Sequence, residues 1–180
     1  MHSTVRIHSF TPRTFIVITT SDDKQAILDL MARWRTALEA KDVAKMMEDY
    51  LPDALLFDAC PPYKAKGANS IAKVWEKCLP YFPEKFSSEH RDLQVHIGGN
   101  VAFVHGIHHF LPTPADHPCG QTWMRITIGL KRVEGIWKVA HEHVSIPFNP
   151  MNLQAWYITD PDSLDMPDYS AEACEGGSQL

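Results

Sequence analysis

The feature that most constrains the fold is a change in hydrophobic periodicity near residue 80. Before this point apolar side chains recur at spacings of three and four residues, which is the period of a helix. After it they recur at every second residue, which is the period of a strand. A chain of 180 residues with 44% apolar residues is sized for one domain with a real core. Helices followed by strands predict an α+β domain whose helices cover one face of a bent sheet.

Two amphipathic helices are clear before the change in period. The first begins near Ser21, and its apolar stripe includes Trp34. The second covers 69–82, and either Asn69 or Ser70 can cap its first turn. The apolar stripes of both helices are expected to face the sheet.

A short helix and a strand are predicted between these two helices. Asp42 can cap the helix, whose apolar face is expected to include Tyr50 before Pro52 stops it. The apolar run 54–58 then predicts a strand that ends at Asp58. The prolines that follow lack N–H donors, so the strand cannot continue.

Four long strands are predicted after the change in period. Two form a hairpin through a Gly-Gly-Asn turn, and the other two form a hairpin through Glu134-Gly135. The arrangement predicts an antiparallel meander over 93–97, 101–111, 121–133 and 137–148.

Three stretches of this chain resemble a known family. They are "ALEAKDVAKMMEDYLPDALLFD", "PPYKAKG" and "EGIWKVAHEHVSIPF". The chain from about Ser21 to Pro147 resembles the SnoaL-like and ketosteroid-isomerase-like proteins of the nuclear-transport-factor-2-like superfamily. The resemblance implies a cone-shaped α+β fold, in which three N-terminal helices pack on a strongly bent antiparallel sheet.

The resemblance also implies a division of the chain into three parts. Residues 1–20 form an N-terminal extension, 21–148 the SnoaL-like domain, and 149–180 a tail. The tail contains six Asp and Glu residues and no Lys or Arg, so the rest of the chain is close to neutral. We expect this tail to be a solvated appendage.

Matching to ketosteroid isomerases implies a catalytic centre at Asp58. This residue stands at the position of the family's catalytic aspartate, and a carboxylate in an apolar cone can remove a proton next to a carbonyl. Trp34 and Ile128 stand where the family has a tyrosine and an acid that hold the oxyanion. Steroid isomerisation of the usual type is therefore not expected. His108 is the residue expected to polarise the carbonyl or return the proton.

Further residues are expected to line the cone. The inward sets implied by the resemblance are Ala140, Glu142 and Val144 in the last strand, and Gly106 with His108 in the second long strand. The predicted substrate-binding residues are Trp34, Tyr63, Met124, Ile128 and Glu142. The duller alternatives are that Asp58 caps the Pro-rich turn and that the apolar residues only fill the core.

A second cluster is expected on the opposite face of the sheet. Strand alternation groups there His105, Trp123, Arg125, His141, His143 and Ser145. The leading interpretation is a homodimer interface, because proteins of the resembling fold pair through this face. A histidine metal site is the alternative, which the fixed cation of Arg125 disfavours. If the assignment of faces is reversed, His141 and His143 line the pocket with Arg125.

The functional hypothesis is an enzyme that needs no cofactor or metal. It would carry out isomerisation, cyclisation or dehydration on a small hydrophobic carbonyl-bearing or polycyclic metabolite, with Asp58 as base and His108 as acid. The alternatives are a non-catalytic binding or association module and, as a minor one, a histidine-based metal enzyme. No basic run suggests nucleic acid, and no segment suggests a membrane span or export signal, so we expect a cytoplasmic protein. The cysteines are scattered without a Cys-x-x-Cys pair and are expected to be reduced.

Overall fold

The computed structural model describes residues 20–166 and Tyr169. Its three α-helices are α1 (Thr20–Glu39), α2 (Val43–Met47) and α3 (Ala68–Cys78). Its six strands are β1 (Tyr50–Phe57), β2 (Lys64–Lys66), β3 (Lys85–Gly98), β4 (Val101–Thr113), β5 (Met124–Val133) and β6 (Ile136–Ser145). The predicted order of helices before a meander of strands is confirmed. No helix in the described residues is long and apolar enough to cross a membrane.

The six strands form one curled, open sheet in the order β2-β1-β6-β5-β4-β3. Four of the five neighbouring pairs are antiparallel, as predicted. The pair β1 and β6 is parallel, with Leu56 beside Glu142 and Phe57 beside His143. The expectation of a purely antiparallel sheet is therefore corrected at this pair. A parallel pair needs a long connection, which the whole chain between β1 and β6 provides.

Helix α1 packs along the inner face of this sheet. Ile27, Leu30 and Met31 are buried there at the predicted helical spacing, with Val104 and Leu130 among their partners in the core. This packing places Trp34, one turn further along the helix, beside the open interior of the sheet.

An ion pair fixes the first turns of α1 to the sheet. Asp23 accepts hydrogen bonds from Arg132 Nη2 and, at 3.1 Å, from Trp137 Nε1. The Arg132 guanidinium also lies 4.5 Å above the Trp137 ring. Because Asp23 is buried, it depends on these partners to offset the loss of water.

Strand β1 begins earlier than predicted. Asp42 caps α2 as expected, since its carboxylate accepts from Lys45 N at 3.1 Å. However, Tyr50 is the first residue of β1 rather than part of the helix, and Pro52 lies within the strand. The pairing with β6 is irregular between Tyr50 and Leu55, and a proline without an N–H is tolerated at such an irregularity.

The N-cap of helix α3 is a glycine rather than Asn69 or Ser70. Gly67 is its N-cap, with φ 89°, a value that non-glycine residues rarely adopt. Gly67 N donates to Ala54 O at 2.7 Å, and a side chain there would lie 3.2 Å from Pro52 O. The positive φ and the close approach to β1 explain why a glycine stands at this position. Asn69 and Ser70 fall inside the helix.

Strand β3 is longer than the sequence indicated. It begins at Lys85, eight residues before the predicted start at Leu93, and its pairing with β4 shifts between Arg91 and Gln94. Leu93 packs against Gly106 on β4, where an added Cβ would meet Leu93 Cδ2 and Arg91 O at 2.8 Å. Leu93 fills the space beside Gly106, so Gly106 is not part of the cavity lining, although it lies between the inward-facing Val104 and His108.

A bulge in β6 corrects the inward assignment of Ala140. Gly129 pairs with His141 and Leu130 pairs with Val139, so Ala140 is the extra residue. Strict alternation put Val139 with His141 on one face, but the bulge turns Val139 inward and leaves Ala140 out of the cavity lining. Alternation cannot reveal a bulge, because it assumes one partner for each residue.

The described part of the tail lies against the sheet. Trp123 N donates to Ile158 O at 2.9 Å, and Arg91 Nη2 contacts both carboxylate oxygens of Asp162 at 3.1 Å. Most side chains of this stretch are exposed, as expected of a solvated tail, but these contacts show that it is not a free appendage. The prediction for 1–19 and for most of 167–180 concerns residues outside the described part.

Candidate active site

A cavity of about 180 Å³ lies between α1, α3 and the inner face of the sheet. Its lining is mostly apolar. The polar or titratable side chains in that lining are Trp34, Tyr50, Asp58, Cys60, Trp75, Cys78, His90, His108 and Glu142. Functional candidates are therefore confined to a few groups in a low-polarity space, as is typical of a small-molecule site.

Asp58 stands at one end of the cavity, directly after β1. Leu56 points inward, and alternation along the strand turns Asp58 to the same side while Phe57 faces outward. The carboxylate accepts from Cys60 N at 3.2 Å. Burial raises the pKa of Asp58, and the N–H groups of Cys60 and Ala59 oppose that rise.

Glu142 lies on β6, the strand next to β1, where it pairs with Leu56. Its Oε2 accepts a hydrogen bond of 2.5 Å from the Tyr50 hydroxyl. Burial raises the pKa of Glu142 to about 7; the Tyr50 hydrogen bond opposes this, and the charge of Asp58 adds to it. Burial and the charge of Glu142 hold the pKa of Tyr50 well above 10, so Tyr50 keeps its proton.

Two histidines form another wall of the cavity. His108 on β4 pairs with His90 on β3, and their ring centroids are 4.9 Å apart. Burial lowers the pKa of His108 to about 3, helped by the charges of His90, His109 and Arg35. Burial and Arg35 lower the pKa of His90 to about 4. Both rings are therefore neutral at physiological pH.

Three cavity residues have buried nitrogens without a hydrogen-bond partner among the described residues. These nitrogens are Trp34 Nε1, Trp75 Nε1 and His108 Nδ1. The Trp34 N–H lies near enough to the Tyr50 hydroxyl to lower that group's pKa, but it does not meet hydrogen-bond geometry. Since buried donors normally have acceptors, these groups are suited to a ligand oxygen.

The structure brings together most of the side chains predicted to line the cone. Those in the cavity lining are Trp34, Asp58, His108, Met124, Ile128 and Glu142. Tyr63 is the exception, with 77% of its surface exposed, and it is not in the lining. Its carbonyl accepts from Asp58 N at 3.2 Å and closes the turn, and Pro61 lines the cavity. The roles of these residues stay predictions.

Five polar or titratable residues of the cavity lining were not predicted as site residues: Tyr50, Cys60, Trp75, Cys78 and His90. Tyr50 had been assigned to a helix, and His90 lay before the predicted start of its strand. Trp75 was predicted only as part of the apolar stripe of α3. The alternating "FSSEHRD" could have extended β3, but its polar composition hides the strand.

The outer face of the sheet carries most of the second predicted cluster. His105, Arg125, His141, His143 and Ser145 all lie there, outside the cavity lining. The alternative that His141 and His143 line the pocket is therefore not supported. Trp123 is buried instead, because the His109 ring stacks on it at 4.7 Å and the tail crosses it.

The geometry of this cluster also bears on the metal hypothesis. His141 Nδ1 lies 2.8 Å from Leu55 O, and because a carbonyl can only accept, this nitrogen carries the proton. Within the described ranges, no three His, Cys, Asp or Glu side chains are grouped so that they could hold a metal ion.

Comparison with known proteins identifies a matching family and structures with a similar fold. The family model of the SnoaL-like domain matches residues 27–149. A nuclear-transport-factor-2-like protein of unknown function from Pseudomonas putida is 29% identical, with a TM-score of 0.73 over 79% of this chain and 99% of that chain. No curated protein matches the chain.

Two more distant solved structures share the fold. A candidate dehydratase of the nuclear-transport-factor-2-like family from Streptomyces avermitilis is 15% identical, with a TM-score of 0.63 over 73% of this chain and 100% of that chain. A candidate scytalone dehydratase from Novosphingobium aromaticivorans is 14% identical, with a TM-score of 0.56 over 68% and 82%. At these identities the likeness shows the fold alone.

Proposed function

This chain belongs to the SnoaL-like domain family, and we propose that it is an enzyme of cofactor-independent acid/base chemistry on small carbonyl compounds. The substrate is a hydrophobic mono- or bicyclic metabolite, because the cavity is smaller than the roughly 300–1,000 Å³ that drug-sized ligands need. The reaction begins with removal of a proton from the carbon next to the carbonyl.

One observation carries this proposal: the cavity combines a carboxylate with unpaired nitrogens. Asp58 supplies the carboxylate, and His108 Nδ1 with the indole N–H groups of Trp34 and Trp75 supplies the nitrogens. Strands β6 and β5 lie between β1 and β4, so Asp58 and His108 stand on different parts of the curled wall. The proposal requires a bound ketone to contact both groups.

The chemistry follows from the charge states of these groups. Asp58 takes the proton, and the C–H electrons move onto the carbonyl oxygen to form an enolate. The N–H groups of Trp34 and Trp75 and a neutral His108 donate to that oxygen without carrying a positive charge. Glu142, with a pKa of about 7, can supply a proton near neutral pH.

The subsequent step decides the reaction class. Return of the proton to another carbon gives isomerisation, loss of a neighbouring hydroxyl as water gives dehydration, and attack on a second carbonyl gives cyclisation. Dehydration is the activity named for two of the fold neighbours and starts from the same proton transfer.

Hydrogen exchange tests the first step without knowledge of the natural substrate. A panel of cyclic ketones such as 2-tetralone is first ranked by binding, and loss of the acidic C–H signal in D₂O is then followed by NMR for the best binder. We expect Asp58→Asn to slow protein-catalysed exchange by roughly 10²–10⁴-fold while binding is retained. Asp53→Asn, an exposed change on the same strand, should leave the rate unaltered.

The same experiment separates the enzyme from a binding module. If the wild-type protein binds the ketone but does not accelerate exchange, or if Asp58→Asn exchanges as fast as wild type, Asp58 is not a base. In both cases Asp58 would act only as the cap of the turn at Cys60. Binding without any exchange would make the chain a ligand carrier, whereas undiminished exchange in Asp58→Asn would assign the base to another residue.

We also infer a homodimer that forms through the outer face of the sheet. The His96, Phe103 and His105 rings stack in a row there, with centroids 4.5 Å apart for His96 and Phe103 and 5.4 Å for His96 and His105. Phe103 and Val101 are about half exposed. Aromatic and apolar side chains that share an exposed face are typical of the centre of a protein interface.

A further inference from the structure

A basic groove lies beside the cavity, and we propose that it binds a phosphate-bearing part of the substrate. The groove runs between β2 and α3, and its charged side chains are Lys64, Lys66, Lys73 and Lys77. This proposal rests on the function proposed above and adds a substrate class to it: an apolar acyl or aryl group joined to a phosphate-bearing arm.

The local structure explains why the four lysines converge. Lys64 and Lys66 are two residues apart on β2 and share one face of the strand, while Ala65 between them is buried in the core. Lys73 and Lys77 are four residues apart on α3 and share one face of the helix. A strand and a helix thus present two lysines each to the same groove.

The lysines of the groove have no acidic partner among the described residues. No Asp or Glu lines the groove, and none of the ion pairs found among the described residues involves these four lysines. This concentration of lysine stands out in a chain whose formal net charge is −5. Lysine on an edge strand also discourages strand pairing, but that role does not call for Lys73 and Lys77 on a helix.

The groove is continuous with the cavity wall. Pro61, Val74 and Cys78 border both spaces. We place the phosphate-bearing arm over these shared residues, between the 58–61 turn and α3.

The cavity and the groove differ in charge, so they suit different ends of such a ligand. The cavity contains Asp58 and Glu142, and its histidines are neutral, so a phosphate inside it would be repelled. The groove offers four ammonium groups, which bind phosphate as point charges. The structure thus favours a ligand that is apolar in the cavity and anionic outside it.

The groove has room for a phosphate-bearing arm as well as for a single phosphate. The groove has a volume of about 530 Å³, against about 180 Å³ for the cavity. A coenzyme A thioester fits this division, since its acyl group is apolar, its arm carries phosphates, and the carbon next to its thioester carbonyl is acidic. A phosphate ester placed directly on the ring has the same charge but no arm.

Matched ligand pairs test the proposal by calorimetry. Phenylacetyl-coenzyme A is compared with the neutral S-phenylacetyl-N-acetylcysteamine, and 2-naphthyl phosphate with 2-naphthol. At low salt we expect phenylacetyl-coenzyme A to bind at least about tenfold more tightly than its neutral partner, and this preference should shrink as salt screens the charges. A similar preference in the naphthyl pair alone would identify a ring phosphate ester as the source of the charge.

Charge reversal assigns the preference to the groove. Lys73→Glu combined with Lys77→Glu should bring the charged and neutral thioesters to within about twofold of each other, while binding of the neutral one is kept. The control, Lys24→Glu with Lys85→Glu, makes the same charge change at exposed positions outside the groove. Thermal melting checks that both variants fold.

Each result supports or overturns the proposal. Equal affinity within both pairs, or a preference that survives charge reversal in the groove, overturns the phosphate site. Lysine-dependent binding of the charged thioester without exchange of its acidic C–H would leave the phosphate site standing and reject Asp58 as a base.

Discussion

At the scale of single residues, burial in the cavity raises the pKa of a carboxyl group and lowers the pKa of a histidine. It raises the pKa of Glu142 to about 7 and lowers that of His108 to about 3, because in both cases the neutral form is favoured. The cavity therefore holds a carboxyl group that exchanges protons near neutral pH and imidazoles that stay uncharged. This reverses the usual order of acid strength of the two side chains.

The raised pKa of Glu142 makes a prediction about stability. Between its ordinary pKa of 4.5 and its folded pKa of about 7, the folded state holds a proton that the unfolded state has lost, so the Glu142 contribution to stability falls as pH rises. Glu142→Gln removes this ionisation and keeps an acceptor for Tyr50. We expect the free energy of unfolding of the variant, relative to wild type, to increase by roughly 2–3 kcal/mol from pH 5 to pH 8.

Urea denaturation at several pH values measures this difference. The comparison with wild type cancels the opposite trend of His90 and His108, whose lowered pKa values cost stability as pH falls below about 6.5. Glu76→Gln, at an exposed position, serves as control and should show a difference that does not change with pH. A pH-independent difference for Glu142→Gln would show that Glu142 ionises normally.

Sequence reasoning located some of these residues and missed others for physical reasons. Asp58 could be placed because an apolar run ends at it and the family resemblance covers that run. Tyr50 could not, since its spacing from Met46 and Met47 suits a helix and the irregular start of β1 has no local signal. Its bond to Glu142 joins residues 92 positions apart, which no local pattern encodes.

At the scale of elements, the position of α1 governs one wall of the cavity. This helix carries Trp34 into the lining, and Asp23 fixes its first turns to β5 and β6 through Arg132 and Trp137. A shift of α1 along the sheet would therefore alter the cavity.

Removal of the Asp23 carboxylate is expected to destabilise the fold. Asp23→Ala leaves the mostly buried Arg132 without its carboxylate, and we expect the free energy of unfolding to fall by about 3 kcal/mol. Asp22→Ala, an exposed change one residue away, should cost less than about 0.5 kcal/mol. Chemical denaturation of both variants makes the comparison, and equal losses would mean that Asp23 is not an anchor.

Element boundaries and strand irregularities show where sequence patterns lose their information. The helices and hairpins were predicted because their periods differ and their turns contain glycine. The bulge at Ala140 and the shift before Gln94 depend on how two strands fit together, so a single strand does not reveal them. The bulge accounts for the corrected inward assignment of Ala140, and the shift, which places Leu93 beside Gly106, explains why Gly106 is outside the cavity lining.

At the scale of the whole molecule, the two faces of the sheet have separate tasks in our proposals. The inner face closes the cavity, and the outer face joins two subunits. We expect Phe103→Glu to convert a dimer to a monomer, because a charge would be buried at the centre of the interface.

Sedimentation analysis of wild type and variant checks this expectation. Tyr63→Glu changes an exposed aromatic residue away from that face and should leave the mass unchanged. A monomeric wild-type protein, or a Phe103→Glu protein that stays dimeric, would reject the outer face as the interface.

The parallel pairing of β1 with β6 has a consequence for the time course of folding. It unites the strand before Asp58 with the strand that carries Glu142, and the whole chain between them must be closed into a loop before the two can meet. Contacts of such long range slow folding. On a ribosome the β6 side of β1 stays unpaired until β6 has emerged, so we expect a nascent chain to gain its ligand pocket only after that point.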